Sequence, residues 1–150
     1  MNKRLLIGIL LLGMSSLLNA GEWIVLSDSV CTSKNGKLKK GICIAKWEDA
    51  KAICSASGGR LATIKELEAV ITECGGSLVE QGPNIHNPEY MSCYKEHGFY
   101  GKHYWTSSEY KGISPFDTEN TAWYVRFRNG ERGFGKMARP ASVRCLSIGK

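Results

Sequence analysis

Hydrophobic side chains recur with a helical period twice between residues 44 and 74. Trp47, Ala50 and Cys54 are three and four residues apart, which places them on one side of a helix. A second apolar stripe consists of Leu67, Val70, Ile71 and Cys74. The pairs Gly58–Gly59 and Gly75–Gly76 follow the two stripes, and glycine ends helices because it adopts the left-handed conformation at little cost. The pattern predicts two consecutive helices around which the chain is arranged.

The start of the second helix is marked by Thr63 and Glu66. This spacing is a capping box, in which each side chain accepts a backbone N–H of the other residue. The segment between the helices, Arg60–Ala62, is too short for a helix. We expect a buried crossing strand or a turn there.

Residues of high strand propensity, in places alternating with polar ones, predict strands on both sides of the helix pair. They are expected at residues 22–27, 104–108, 122–128, 133–135 and 141–147. Two Asn-Gly pairs predict hairpin turns. Asn35–Gly36 lies between arms that end at Cys31 and Cys43, and Asn129–Gly130 follows the third strand. The glycines of the return strand are expected to mark a bulge or a close backbone approach.

The region 77–103 has no sustained period and is rich in Gly, Asn, Pro and Tyr, so we expect a long irregular loop. It contains Cys93 and the histidines His86, His97 and His103. Their spacing matches no zinc motif, and the thiols of an exported protein oxidise readily. No metal site is therefore predicted.

The first twenty residues are typical of a secretory signal peptide. Lys3 and Arg4 precede the apolar run Leu5–Leu12, and Leu18–Ala20 has the small residues of a cleavage site. The apolar run is too short to span a membrane comfortably, so we predict cleavage and a single domain over residues 21–150. This domain is expected in the periplasm, at the cell surface or outside the cell, with no stable membrane insertion.

The formal net charge of +6 falls by two, to +4, when Lys3 and Arg4 are removed. Such mild basicity permits attraction to anionic surfaces, and an exported protein without a recognition helix is not expected to bind nucleic acid. The lysines of the first hairpin are interpreted as solvated charges rather than as an anion site. They are Lys34, Lys37, Lys39 and Lys40.

All six cysteines lie in the predicted mature domain: Cys31, Cys43, Cys54, Cys74, Cys93 and Cys145. An even number in an exported chain predicts three disulfides, although the residues alone do not select a pairing. Catalytic motifs such as GxSxG and GxxxxGK are absent, Glu66 has a capping role, and Glu68 and Glu73 are interpreted as surface charge. We therefore expect a protein that is not an enzyme and has no cofactor.

Five ordered segments give the chain a family resemblance: WEDAKAIC, GGRLATIKELE, YWTSSEY, AWYVRFRNG and VRC. Over residues 43–148 the chain resembles the DUF1566 family, the domain type also found at the C-terminus of the Legionella collagen-like adhesin, within the C-type lectin-like superfamily. The resemblance implies an α+β fold of C-type lectin-like type, with two helices packed on a small, mostly antiparallel twisted sheet.

The resemblance also implies a disulfide pairing. In lectin-like folds a cysteine of the first helix bonds one of the last strand, which carries over to Cys54 and Cys145. The N-terminal hairpin matches a Cys31–Cys43 bond, and Cys74–Cys93 completes the expected set. Formylglycine-generating enzymes resemble the chain around RLATIKELE, but they need two reactive cysteines near the C-terminus, where only Cys145 occurs.

Calcium-dependent lectins hold sugars through EPN or QPD together with WND, and these motifs are absent here. The loop 109–120 still carries hard oxygen ligands of the kind that calcium prefers. They are Glu109, Asp117, Glu119 and Asn120. We interpret them as a solvated acidic loop rather than as a metal site.

The predicted ligand-binding surface is the basic and aromatic side of strand 122–128 and its return strand. Trp123, Val125 and Phe127 are expected to face the core, which obliges the alternate residues to project together on the other side. The predicted ligand-binding residues are Tyr124, Arg126, Arg128, Arg132 and Lys136, with Arg139 and Arg144 as further candidates.

Arginine forks bind sulfate and carboxylate, and the resemblance implies adhesion to glycans. We therefore expect an adhesin-like binding module for an anionic glycan or another surface polyanion. A protein-binding or assembly role is the alternative. For any single arginine, the simpler interpretation is that the residue lies on a strand face in contact with solvent.

The signal-peptide assignment makes a direct prediction. Protein recovered after export should begin at Gly21, because cleavage is expected after Ala20. N-terminal sequencing checks this, and exported protein that begins at Met1 would contradict it.

Overall fold

Helices and short strands alternate along the computed structural model, which describes residues 21–78, 83–112 and 120–149. The helices are α1 (Asp28–Ser33), α2 (Trp47–Ala56), α3 (Ile64–Glu73) and α4 (Pro88–Glu96), with a 3-10 turn at Pro83–His86. The strands are β1 (Trp23–Ile24), β2 (Lys37–Lys39), β3 (Ile42–Ala45), β4 (Gly59–Leu61), β5 (His103–Glu109), β6 (Thr121–Arg126), β7 (Glu131–Lys136), β8 (Ala141–Ser142) and β9 (Cys145–Ser147). The predicted signal peptide and Asp117 and Glu119 of the acidic loop lie outside the described residues.

The described strands form two sheets. One has the order β1-β9-β4 and the other the order β2-β3-β8-β5-β6-β7. Every pairing is antiparallel except that of β5 with β8, where Tyr104 lies opposite Ser142. The expected α+β class with mostly antiparallel strands is therefore confirmed.

The central helix pair is present as predicted, with β4 as the crossing strand between α2 and α3. The capping box is complete, because Glu66 N donates to Thr63 Oγ1 at 3.2 Å and Thr63 N donates to Glu66 Oε2 at 2.8 Å. Arg60 adds two hydrogen bonds to the same carboxylate, at 2.8 and 2.7 Å. These bonds, with Arg60 as the largest cause, lower the pKa of Glu66 to about 2.

The first hairpin turn was misplaced by the sequence pattern. Residues 28–33 form α1, and Asn35 follows it with φ 63°, so this Asn-Gly pair ends a helix. The hairpin between β2 and β3 turns instead at Lys40 and Gly41, whose φ angles of 51° and 76° are those of a type I′ turn. Asparagine tolerates the left-handed region, so an Asn-Gly pair is favoured both at the end of a helix and in a hairpin turn. The dipeptide alone does not show which of the two structures forms.

The region 77–103 is not a long loop throughout, because it contains α4. The signals were present in the sequence: Asn87 caps the helix by accepting Tyr90 N at 3.0 Å, and Pro88 occupies the first turn. Tyr90 and Tyr94 then form a buried stripe four residues apart. This stripe is too short for a sustained period, which is why the sequence pattern did not reveal the helix.

The predicted last strand is also two strands. β8 belongs to the six-stranded sheet and β9 to the three-stranded sheet, with Val143 and Arg144 between them. Val143 N donates to Cys43 O at 2.9 Å, so the backbone remains extended through the change of partner. The alternation of side chains along an extended backbone therefore continues across the change of sheet, and the sequence pattern predicts one strand where there are two.

All three predicted disulfides are present: Cys31–Cys43, Cys54–Cys145 and Cys74–Cys93. They leave none of the six cysteines free and indicate an oxidising, exported environment. His97 lies beside the third bond, but sulfurs bonded to each other are not thiolate ligands. Among the described residues, every helix falls short of the length and apolarity that a bilayer span requires.

The six-stranded sheet has a hydrophobic core against each face. Consecutive residues of β5 show this, since Tyr104 packs into one core and Trp105 into the other. Val125 and Phe127 are buried with Tyr104, as predicted, whereas Trp123 is only half-buried. Trp123 instead packs edge-on against Phe134 and Tyr110, at ring-centroid distances of 6.0 and 5.0 Å.

The Glu66 interactions predict how stability depends on pH. The unfolded chain binds this proton near the ordinary value of 4.5 and the folded chain only near pH 2, so the contribution of Glu66 is present above 4.5 and lost toward 2. Glu66→Gln should lower the free energy of unfolding by about 1 kcal/mol at neutral pH, and the difference from wild type should shrink on acidification. Urea unfolding from pH 6 to pH 2 measures this.

The matched control is Glu73→Gln, because Glu73 is exposed near the end of the same helix. Its effect should be small at every pH. A Glu66→Gln effect that does not change with pH would contradict the assignment.

Candidate functional site

A groove of about 920 Å³ lies between the β2–β3 hairpin and strands β5 to β7, with β8 in between. Five cationic residues line it: Lys39, Lys40, Lys102, Lys136 and Arg139. Its aromatic lining residues are His103, Trp105, Tyr124 and Phe134, of which Phe134 is opposite Trp123 in the register and has its ring on the other side of β7. The remaining lining residues are Ile42, Ile44, Thr121, Gly135, Pro140, Ala141 and Ser142.

The charge of the groove has one sign. All five cationic side chains belong to exposed residues, and within the described part of the chain none of them forms an ion pair. No carboxylate is among the described residues that line the groove. Because low-dielectric walls with one sign of charge focus the field, the groove attracts anions.

Tyr124 lies flat against the backbone of β7, and two glycines make this possible. It is opposite Gly133 in the register, and a Cβ added at Gly133 would be 2.6 Å from the phenolic oxygen. A Cβ at Gly135 would be 3.5 Å from the same ring, an ordinary contact. The glycines of this strand were expected to mark a bulge or a close backbone approach, but the close neighbour at Gly133 is the Tyr124 side chain rather than another backbone.

Trp105 forms the base of the groove and is not a surface residue. It is only 2% exposed, and its Nε1 donates to Ala45 O at 2.9 Å. The indole therefore links β5 to β3 across the short strand β8. Tyr124 is half-buried, so its ring is more accessible than that of Trp105.

His103, Arg126 and Glu131 form a network at the end of the groove. Arg126 Nε donates to His103 Nε2 at 2.9 Å, and Arg126 Nη1 lies 3.4 Å from Glu131 Oε2. A guanidinium has no acceptor, so Nε2 of His103 accepts and its proton resides on Nδ1. Burial, and then the charge of Arg126, lower the pKa of His103, which stays neutral at pH 7.

The structure separates the predicted binding residues. Tyr124 and Lys136 line the groove, as does the further candidate Arg139, while Arg126 lies beside it in contact with His103. Arg128 does not project with Arg126, because it lies in the four-residue turn after β6, next to Gly101. The alternation assumed for strand 122–128 ends before that position.

Arg132 and Arg144 contact other parts of the protein. Arg132 is opposite Val125, whose side chain faces the core, so it projects away from Tyr124. It forms two hydrogen bonds with Glu68, at 2.8 and 3.0 Å, and Glu68 is 8% exposed rather than a surface charge. Arg144 donates to Ile24 O and to a second backbone carbonyl.

Three groove lysines were not predicted as binding residues: Lys39, Lys40 and Lys102. The hairpin lysines were recognised as a charged cluster, but the sequence does not show that β8 lies between β3 and β5, which places the hairpin across from Tyr124. A cationic hairpin beside an aromatic strand is a long-range juxtaposition, and local patterns do not encode it.

A second aromatic cluster lies on the other side of β6 and β7. Tyr110 stacks on Phe134 with centroids 3.9 Å apart, and Phe134 is 50% exposed. Trp123 completes this cluster.

The chain matches no protein-family model and no curated protein. The lining residues and the charge of the groove are therefore the basis for a functional proposal.

The two glycines of β7 provide a test of how Tyr124 is held. Gly133→Ala should force the ring off the strand and lower the free energy of unfolding by about 1–3 kcal/mol, as overpacking does. Gly135→Ala is the matched control and should change it by less than about 0.5 kcal/mol. Urea unfolding and the NMR resonances of the Tyr124 ring measure both effects, and equal tolerance of the two variants would contradict the packing.

Proposed function

We propose that this domain is a non-catalytic binding module that recognises an anionic glycan or a similar polyanion. The observation that carries the proposal is the groove, which five exposed cationic residues line together with Tyr124 and which has no carboxylate among its described lining residues. The disulfides favour export, and the ligand is therefore one met in the periplasm, at the cell surface or outside the cell.

The cationic residues favour a ligand with several charges. A single exposed ion pair contributes only about 0–1 kcal/mol, so affinity requires that several contacts form together. Four of the five are lysines, which act as mobile point charges and tolerate variable spacing of sulfates or carboxylates. Tyr124 supplies a ring on which a sugar face can stack. Such binding weakens with salt, because the Debye length is about 8 Å at physiological ionic strength.

We further infer that the domain is C-type lectin-like and of the DUF1566 type. One feature supports this: Cys54 of α2 bonds Cys145 of β9, as the resemblance implies. The adhesive role implied by the resemblance agrees with a groove for anionic glycans.

Protein binding is the second candidate, and the aromatic cluster of Tyr110, Trp123 and Phe134 favours it. Half-exposed rings in contact with each other are a feature of protein interfaces. Tyr110 and Trp123 are not among the residues that line the groove, so the two functions are separable by substitution.

Retention on a heparin column tests the polyanion proposal. Lys39→Ala/Lys136→Ala should weaken heparin binding by about tenfold, because two contacts of about 0.5–1 kcal/mol each are removed. Lys65→Ala/Lys95→Ala removes the same charge from exposed positions outside the groove and is the matched control. It should elute close to wild type.

A further pair, Arg126→Ala/Arg128→Ala, tests the surface derived from the sequence pattern alone. Its effect should be smaller than that of the groove pair, because Arg126 is already paired with Glu131. If wild type is not retained at low salt, or if the groove and control pairs elute together, the polyanion proposal is wrong and the protein-binding candidate takes precedence.

A further inference from the structure

The groove is more apolar than a purely hydrophilic polyanion requires. Beside its cations it has Ile42 and Ile44, which are half-buried, and Pro140, which is exposed. A sulfated or carboxylated chain stays hydrated and gains little from covering such groups. Apolar surface that remains open in a groove indicates a ligand with apolar surface of its own.

The hairpin places apolar and cationic side chains side by side. Ile42 lies directly opposite Lys39, and Ile44 lies opposite Lys37, so these four side chains share one side of the β2–β3 ribbon. Directly opposite residues have Cβ atoms about 5 Å apart. On this side of the ribbon a row of two lysines therefore lies beside a row of two isoleucines, and a ligand that lies along the ribbon can contact both rows.

The remainder of the apolar lining continues from this ribbon. Ile44 is also opposite Ser142 of β8, which is next to Ala141 and Pro140. On the far side the groove reaches Tyr124 and Phe134. At about 920 Å³ it is at the upper end of the range for small-molecule sites, which exceeds the need of one sugar ring.

We propose that the groove binds an anionic glycolipid, with its charged saccharide at the lysines and an acyl chain along the isoleucine side. This rests on the proposed function, since the charged saccharide is the anionic glycan of that proposal. The acyl chain is the added element, and charge complementarity with the five cations specifies that the headgroup is anionic.

Alkyl glucuronides provide the test, because one series varies the chain while the anionic sugar stays constant. Binding of methyl, hexyl, octyl and decyl glucuronide to the full domain is measured by calorimetry at low salt, below each critical micelle concentration. Affinity should rise about tenfold or more from hexyl to decyl, since burial of each methylene is favourable. Octyl glucoside has the same chain without the charge and should bind at least about tenfold more weakly than octyl glucuronide.

Two variants test whether the acyl chain of the ligand contacts the isoleucines. Ile42→Thr/Ile44→Thr keeps the branched shape that strands favour and should abolish the dependence on chain length while heparin retention is unchanged. Ile42→Val/Ile44→Val is milder, and should reduce that dependence in part even if the first variant folds poorly.

The outcomes separate the two proposals. Heparin retention with equal affinity for methyl and decyl glucuronide would overturn the glycolipid inference and leave the polyanion proposal standing. Equal binding of octyl glucoside and octyl glucuronide would also overturn it, because the site would then be apolar without selection for an anion. Failure to bind both heparin and every glucuronide would overturn both proposals.

Discussion

The Cys54–Cys145 disulfide holds the point at which the chain passes from one sheet to the other. It joins α2 to β9 across 91 residues of sequence, and both half-cystines are fully buried. A loop of this length implies a contribution on the order of 4 kcal/mol if the bond acts by restricting the unfolded chain. Because β8 ends three residues before Cys145, the bond also constrains where β8 lies. β8 is the strand that joins the hairpin side of the groove to its aromatic side.

Two indole hydrogen bonds reinforce the same junction. Trp105 Nε1 donates to Ala45 O at 2.9 Å, and Trp47 Nε1 donates to Thr106 O at 2.8 Å. Each contributes only about 1 kcal/mol net, but a buried carbonyl left without a donor would cost more. The cationic hairpin is thus held by buried contacts rather than by its own exposed residues, and the groove is formed before a ligand arrives. A preformed site loses little entropy on binding.

Local features of the fold were predictable because their causes lie within a few residues. Thr63 and Glu66 satisfy each other, and Gly133 accommodates a ring on the adjacent strand. Features that depend on distant partners were not predictable. The break at Val143 preserves the period of two, so the alternation does not show that β8 and β9 belong to different sheets.

The site shows the same division. The position of Tyr124 follows from the alternation of β6, which is local. The pairing of Arg132 with Glu68 could not be predicted, because the two residues are 64 apart in sequence and Glu68 was interpreted as a surface charge. The lysines of the hairpin were visible in the sequence, but their position opposite Tyr124 depends on β8. Asn87 and Pro88 show that capping residues can identify a short helix that periodicity does not reveal.

We propose that the groove between the hairpin and β5 to β7 is the anion-binding surface. An NMR titration of the isotope-labelled domain with a short heparin oligosaccharide distinguishes this surface from the others. The largest backbone shifts are expected at residues 39–44, Tyr124 and residues 135–142. Shifts concentrated at Arg128 and Arg132, or spread evenly over the exposed lysines, would contradict it.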